Sequence, residues 1–434
     1  MRSMSGANQA VPVDDLELGM YVSKLDRPWL ETPFLFQGFT IKDTREIKEL
    51  KRHCRFVYVH DTKPDPDAPP EPDSTGGSTT LNSAEQNRPA SMIGRFASWI
   101  LKRQKGQSES GDAYKDVVTL SVEWKTAKSV HEEAASLYTD VLEEIRQNGK
   151  LDLQVLDTVV SPMVESVLRN RDALAWLSRM RQTDDYTYGH SVSCSIYAIA
   201  FGRHLGLPKE DLNLLGLGAL LLDVGKTRIS KELLATPDKL TPEQIQLMRQ
   251  HVGFGMEILQ DQPNTVDNRV LSMVQSHHER YDGSGYPDKL TGLDIPVFAR
   301  IAGIVDYYDA VIRTRPYAKP VSCYDAVRSL NKLSGTEFQP EMVEQFVQAV
   351  GMFPNGALVE LSTGEVGVIL EQNRVRRLRP KVLVLLGADK KPMKKSKEVD
   401  LRKLPADRGS RGAVWLERGL EMGAYGIDAA EYFL

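Results

Sequence analysis

The chain has 434 residues, 41% of them hydrophobic, which is enough to bury a sizeable core in two or three domains. A formal net charge of −4 excludes a general attraction to polyanions, so we expect no nucleic-acid partner. The three cysteines are scattered and odd in number, which excludes a disulfide framework and indicates a reducing cytoplasm. No apolar run resembles a secretory signal or reaches the ~18 residues of a transmembrane segment.

Residues 1–62 predict a small N-terminal α/β domain. The stretches "MYVSKL" (20–25) and "CRFVYVH" (54–60) have the alternating pattern of β-strands. Between them, "DTREIKELKRH" (43–53) has the spacing of a short helix.

Residues 63–113 predict a flexible linker, because Pro, Asp, Ser and Gly dominate and little apolar surface is available for burial. Within it, "MIGRFASWILKRQK" (92–105) places apolar side chains at helical spacing beside basic ones. Such a segment could contact an anionic membrane or a partner. Docking onto its own protein is the simpler interpretation of so short a segment.

Residues 114–350 predict a helical bundle, because apolar residues recur at helical spacing and clusters of β-branched residues are few. One helix start is explicit: Thr241 is a candidate N-cap, followed by Pro242 at the first helical position and Gln244 three residues after the cap. Residues 351–434 predict a small β module around glycine turns, followed by a loosely packed tail. The predicted fold class is therefore mainly α, with a small domain or module at each end.

Six titratable residues are candidates for a metal site. Asp223 directly follows an apolar run and Asp306 lies within one, where an ionised carboxylate is costly to bury unless a cation compensates it. The four histidines among the candidates are His190, His251, His277 and His278. Alone, each histidine is more often a core residue and each aspartate a helix cap. Together, imidazoles and carboxylates suit iron, manganese, zinc or nickel, and carboxylates shared by two ions suit phosphate-ester hydrolysis.

Three stretches carry a resemblance to a known family: "HHERYDGSGYP" (277–287), "IPVFARIAGIVDYYDA" (295–310) and "TRPYAKP" (314–320). They resemble the HD-GYP family, which belongs to the HD superfamily of metal-dependent phosphohydrolases and contains bacterial phosphodiesterases that hydrolyse cyclic di-GMP. The resemblance covers roughly residues 180–350 and implies a helical HD-type domain. Residues 1–60 and the β module after 350 also resemble companion regions of such proteins.

The resemblance assigns roles residue by residue. It implies that Asp223 bridges two metal ions and, with Lys226, acts in catalysis. It implies that His190, Asp223, His251, His277, His278 and Asp306 are metal ligands. It also implies that substrate is contacted by Gly285, Tyr286, Pro287 and Arg315.

The sequence departs from the family pattern at four positions, of which Ser230, in place of a usual proline, is a minor one. Leu222 stands where the family has the histidine of its His-Asp pair, so one metal ligand is missing. Tyr186 stands where members with three metals have glutamate, so we expect at most two ions. Ala318 replaces a substrate-binding lysine, although Lys319 is adjacent.

These observations leave three functions open. The first is a cyclic di-GMP phosphodiesterase with one or two divalent ions, iron or manganese, in an altered metal shell. The second is a degenerate module that senses a nucleotide or binds signalling proteins such as diguanylate cyclases without turnover, with a homodimer as a candidate assembly. The third is an HD-type phosphohydrolase for another nucleotide. Metal content measured together with cyclic di-GMP hydrolysis discriminates among them.

Overall fold

The computed structural model describes residues 9–26, 39–41, 44–60, 114–180, 186–262, 266–313, 319–373, 376–405 and 410–429. The chain divides into two compact units, Met1–Ser110 and Gly111–Leu434. The predicted linker and its basic segment lie outside the described residues. Within the described part of the chain, no helix is both long and apolar enough to cross a membrane.

The described residues of the first unit form a four-stranded antiparallel sheet and one helix. Its strands are β1 (Gln9–Pro12), β2 (Tyr21–Leu25), β3 (Phe39–Thr40) and β4 (Phe56–His60), in the order β1-β4-β2-β3. Helix α1 (Thr44–His53) precedes β4. Alternate residues of β4, Val57 and Val59, are buried with Leu50 of the helix. The predicted strands and the helix between them are confirmed.

The second unit is built mainly from helices. In chain order they are α2 (Leu120–Asn148), α3 (Leu153–Arg169), α4 (Ala173–Met180), α5 (Tyr186–Leu205), α6 (Lys209–Leu221), α7 (Lys231–Leu234), α8 (Pro242–Arg249), α9 (His251–Gln260), α10 (Asn268–Ser276), α11 (Val297–Ile312), α12 (Cys323–Leu333) and α13 (Pro340–Val350). Helices α5, α6 and α11 are buried along most of their length, so they form the centre of the bundle. The predicted mainly helical fold is confirmed.

Helix α8 begins as its sequence predicts. The side chain of Thr241 accepts a hydrogen bond from the Gln244 amide (3.3 Å), and the Gln244 side chain accepts one from the Thr241 amide (2.9 Å). With Pro242 in the first turn, this is a complete capping box. The cap fixes where α8 starts, and α8 leads directly into α9 and its first residue, His251.

The C-terminal module is a five-stranded antiparallel sheet. Its strands are β5 (Leu358–Leu361), β6 (Val366–Glu371), β7 (Lys381–Leu386), β8 (Pro392–Asp400) and β9 (Leu416–Leu420), in the order β8-β7-β6-β5-β9. The prediction of a loosely packed tail is wrong for residues 410–429. Strand β9 pairs with β5 and so covers an edge of β5 that would otherwise be unpaired. Leu420 of β9 is buried in the module.

The module packs directly on the helices. Gly356, at φ +84°, lies so close to α4 that an added Cβ would be 1.9 Å from Trp176 Nε1. The guanidinium of Arg179, also on α4, is buried and donates to the carbonyl oxygen of Asn355 (2.9 Å). The start of the module is therefore held by both packing and a buried hydrogen bond.

Candidate metal centre

The six predicted metal ligands come together from five separate parts of the second unit. His190 lies in α5, Asp223 follows α6 at the start of a 3₁₀ turn (Val224–Arg228), and His251 begins α9. His277 and His278 follow α10, and Asp306 lies in the middle of α11. Ligand atoms of Asp223, His251, His277 and His278 all lie within 4.8 Å of one another.

Two glycines allow the backbone segments that carry these ligands to approach closely. A Cβ added at Gly225 would lie 1.9 Å from the carbonyl oxygen of His251, and one at Gly303 would lie 2.9 Å from that of His277. A side chain at Gly225 would therefore collide with backbone, which cannot move out of the way. This close contact places Asp223 beside the start of α9.

The imidazoles of His251 and His277 are oriented so that their unprotonated nitrogens face each other. Their Nδ1 atoms lie 2.6 Å from Met248 O and 2.9 Å from Val274 O, and a carbonyl oxygen can only accept, so both Nδ1 atoms carry the proton. Their Nε2 atoms then face each other at 3.4 Å. Burial lowers the pKa of His251 to about 4 and also lowers the pKa of His277, so both rings are neutral near pH 7.

Two lone pairs facing each other at this distance repel unless a cation lies between them or beside them. Backbone carbonyls that fix the tautomer of a histidine are the usual outer partners of metal-binding imidazoles. Burial also lowers the pKa of His278 well below its usual range, so a third neutral imidazole is available. The donor set therefore fits a divalent transition metal ion.

Asp223 lies between two halves of the centre. One half contains His251, His277 and His278, and the other, the His190 half, contains His190 and Asp306. Asp223 Oδ1 is 3.5 Å from His251 Nε2, and its Oδ2 is 3.8 Å from His190 Nε2 and 2.6 Å from Lys226 Nζ. Burial alone would raise the pKa of Asp223, but the Lys226 ammonium and the neighbouring His251 and His190 imidazoles outweigh it and hold this pKa well below its usual range. Asp223 is thus an ionised carboxylate with one oxygen toward each half.

The second half is organised around His190. Its Nε2 lies 3.0 Å from Asp306 Oδ1, and its Nδ1 lies 2.8 Å from Asp309 Oδ2. Asp309 in turn accepts a hydrogen bond from Arg313 Nε (2.5 Å). Burial opposes ionisation of Asp306, but the hydrogen bond from His190 and the nearby imidazoles hold its pKa well below the usual range.

Sequence reasoning missed Asp309 and its neighbours. The signal was present, because Asp309 is a second carboxylate within the apolar run of α11, one turn after Asp306. Asp309 holds Nδ1 of His190, so Nε2 faces Asp306 and Asp223. Cys194, one turn after His190, was also not singled out, and its Sγ lies 3.7 Å from His190 Nε2.

The glycine loop forms a rim beside the histidines. The Tyr286 ring stacks on His278 at 4.7 Å with a 27° interplanar angle, and the Arg249 guanidinium lies 4.7 Å from the Tyr286 ring centroid. A Cβ at Gly285 would lie 2.4 Å from the Arg280 amide nitrogen, so only glycine fits there. Glu279 accepts from the amides of 288 (2.7 Å) and 290 (3.1 Å), which holds the loop in place.

A groove of about 590 Å³ adjoins this rim. It is lined by Gln246, Arg249, Gln250, Val252, Gly253, Met256, Gln260, Gln275, Tyr286, Pro287 and Lys289. Of the predicted substrate-contacting residues, Tyr286 and Pro287 line the groove, and Gly285 lies in the loop beside it. Arg315 and Ala318 lie outside the described residues.

Leu222 occupies the position directly before Asp223 and is 3% exposed. Its helical backbone (φ −48°, ψ −45°) continues α6, so its side chain is a buried apolar group at the end of that helix. Leucine offers no donor atom to a metal ion. The nitrogen and oxygen donors of the His190 half are then His190, Asp223 and Asp306.

Three family models match the chain. An HD domain matches residues 163–342, a domain of unknown function (DUF3391) matches residues 8–155, and a KOW domain associated with the HD domain matches residues 358–406. The HD-domain match contains all six residues of the centre. The KOW match ends before β9.

Curated relatives match over different lengths. The chain is 32% identical to a cyclic di-GMP phosphodiesterase of Pseudomonas aeruginosa over 392 residues, which cover 90% of this chain and 88% of that protein. It is 32% identical to the cyclic di-GMP phosphodiesterase response regulator RpfG of Xanthomonas campestris over 207 residues, 48% of this chain and 54% of RpfG. It is also 32% identical over 162 residues to 3′3′-cGAMP-specific phosphodiesterase 2 of Vibrio cholerae, 37% of this chain and 31% of that protein.

Proposed function

The chain belongs to the HD-GYP family of the HD superfamily of metal-dependent phosphohydrolases, and from this premise we propose that it hydrolyses cyclic di-GMP. The observation that carries the proposal is the pair of neutral imidazoles, His251 and His277, whose Nε2 atoms face each other at 3.4 Å beside Asp223. The relative from Pseudomonas aeruginosa, matched over 88% of its length, supports cyclic di-GMP as the substrate.

The residues of the centre would hold two divalent ions, iron or manganese. One ion would be held by Asp223, His251, His277 and His278, and the other by His190, Asp223 and Asp306. Bound divalent metal supplies Lewis acidity, which lowers the pKa of a water molecule and draws charge from phosphoryl oxygens.

Lys226 adds a fixed positive charge at the mouth of the centre. Its ammonium group lies 2.6 Å from an Asp223 carboxylate oxygen, and its side chain is 20% exposed. The ammonium can therefore also donate a hydrogen bond to a phosphate oxygen. A cation already in place where negative charge develops stabilises the transition state without reorganisation. We assign Lys226 this role, and Asp223 the role of orienting it.

The rim and groove supply the base-binding surface. A groove of about 590 Å³ is within the usual range for small-molecule sites. Its glutamine amides offer both donors and acceptors, as the edge of guanine requires, and Tyr286 offers an aromatic face. We assign one guanine of cyclic di-GMP to this groove, which places the adjoining phosphodiester beside Lys226 and the histidines.

The less favoured function is that of a degenerate module that binds a nucleotide or a signalling protein and hydrolyses nothing. Leu222 is the observation in its favour, because it removes one ligand from the His190 half. The remaining ligands of both halves converge, and Lys226 is in place on Asp223. These contacts support catalysis, with the His190 half as the weaker metal site.

The test is cyclic di-GMP turnover by the full chain, supplied with manganese or ferrous iron and followed by chromatography of the linear product. Asp223→Asn should abolish turnover, and Asp157→Asn, a matched change of an exposed carboxylate on α3, should leave it unchanged. Parallel reactions with 3′3′-cGAMP test the choice of base. A metal-loaded protein that hydrolyses neither dinucleotide would contradict the proposal.

A further inference from the structure

Arg313 is a buried cation beside the His190 half. It directly follows the last residue of α11 and is 8% exposed. Its Nε donates a hydrogen bond of 2.5 Å to Asp309 Oδ2. The same carboxylate oxygen lies 2.8 Å from Nδ1 of His190. One oxygen atom therefore connects a guanidinium to the imidazole of a predicted metal ligand.

The guanidinium of Arg313 is also held by two other helices. Its Nη2 donates to the Ser178 carbonyl oxygen on α4 (3.4 Å) and to the Ser193 hydroxyl oxygen on α5. The hydroxyls of Ser178 and Ser193 share a further hydrogen bond, and both serines are buried. A planar guanidinium bound through several of its donors has little freedom to turn, so it fixes the position of Asp309 Oδ2.

The two halves of the centre differ in the charge of the groups behind their imidazoles. Behind His251 and His277, the Nδ1 atoms face backbone carbonyl oxygens, which are neutral. Behind His190 lies the carboxylate of Asp309, which is 1% exposed. A carboxylate in this position fixes the ring orientation and raises the basicity of the imidazole, but its burial is costly unless a cation compensates it. Arg313 is that cation.

Resting on the proposed function, we propose that Arg313 is a positioning residue for the ion of the His190 half and acts through Asp309. The guanidinium fixes Asp309 Oδ2, and Oδ2 fixes Nδ1 of His190. The Nε2 atom of the imidazole is thereby directed toward Asp306 and Asp223. This half has three ligands and a single imidazole, whereas the other half has four ligands, so it depends strongly on the orientation of that ring.

Metal binding in the absence of substrate tests the proposal. Chelator-treated full-length protein is titrated with manganese, and the affinity of each ion is measured by calorimetry. His190→Ala identifies the ion of the His190 half, because it should remove that ion alone. Arg313→Gln should weaken this ion about 10–100-fold and leave the other within about twofold of the wild type. Arg203→Gln, a matched loss of a buried arginine that pairs with Asp116 near the other end of α5, should change neither ion.

A double-mutant cycle separates positioning from a contribution to stability alone. If Arg313 acts through Asp309, Arg313→Gln combined with Asp309→Asn should weaken the ion no more than Asp309→Asn does by itself. Arg313→Lys keeps the charge and loses the planar fork, so it should weaken the ion by a smaller factor than Arg313→Gln. The lysine variant alone decides the matter if the glutamine variant does not fold.

Four results would overturn the proposal: wild-type affinity for the ion in the Arg313 variants, equal weakening of both ions, additive losses in the double variant, or a wild-type protein that binds a single ion. The two proposals fail separately. Selective weakening of one ion without cyclic di-GMP turnover in the wild type contradicts the proposed function alone. Turnover with unchanged affinity in the Arg313 variants contradicts the positioning role alone.

Discussion

Acidifying the metal-free protein should destabilise the helical unit through His251. The folded-state pKa of this histidine is about 4, against its usual 6.5, because the ring is buried. The folded state therefore disfavours the proton, whereas the unfolded chain binds it as the pH falls below about 6.5. The stabilisation is complete above this pH and is lost as the pH falls toward 4.

The size of the effect follows from the same two values. Each unit of pKa difference corresponds to about 1.4 kcal/mol, and at about pH 4.5 the unfolded histidine is protonated while the folded one is mostly neutral. The free energy of unfolding should then be about 2.5 kcal/mol lower than at about pH 7.5 from His251 alone. His277 and His278 have lowered pKa values and act in the same direction.

The assay is urea unfolding of chelator-treated protein at the two pH values, followed by the fluorescence of tryptophans that include Trp124 and Trp176 of the helical unit. His251→Gln should remove about 2.5 kcal/mol of the pH-dependent loss. Gln260→Asn, a neutral change on the same helix, should leave the loss as in the wild type. If His251→Gln and the wild type lose equal stability on acidification, the assignment of a buried neutral imidazole is wrong.

Three further changes test the rim and the mouth of the centre. Tyr286→Ala should raise the KM for cyclic di-GMP about tenfold with unchanged metal content, because it removes a stacking surface and no ligand, whereas Tyr286→Phe should behave like the wild type. Lys226→Met should lower kcat about 10²-fold, and a change confined to KM would show that its charge acts only in binding. Gly285→Ala should lower the free energy of unfolding by more than about 2 kcal/mol, because its Cβ would lie 2.4 Å from the Arg280 amide nitrogen. Gly253→Ala, where an added Cβ meets nothing within 4 Å, should be neutral or stabilising, and equal losses in the two glycine variants would refute the steric argument.

The helices could be predicted from sequence because their signals are local. Thr241, Pro242 and Gln244 specify the start of α8 within four residues, and the structure has the complete capping box. Asp223 and Asp306 were recognisable because a carboxylate is costly to bury in an apolar run and because both accompany the candidate histidines. Such signals need no knowledge of the tertiary structure.

The remaining features depend on contacts between distant parts of the chain. Asp309 is separated from His190 by 119 residues, so the sequence around either residue does not predict their hydrogen bond. Cys194 is surrounded in sequence by small and apolar residues, and its sequence neighbourhood is that of any core cysteine. Strand β9 is only partly buried, with Leu420 its one fully buried residue, so its composition resembles that of a loop.

The position of β9 has a practical consequence for shortened versions of the chain. A protein ended at residue 406, where the KOW match stops, would lack the strand that covers one edge of β5. It would also uncover Leu358, which is buried in a cluster with Leu420 and Ile427. An open β-strand edge beside exposed apolar side chains favours aggregation. Soluble expression of the helical domain with its β module therefore requires residues up to 429.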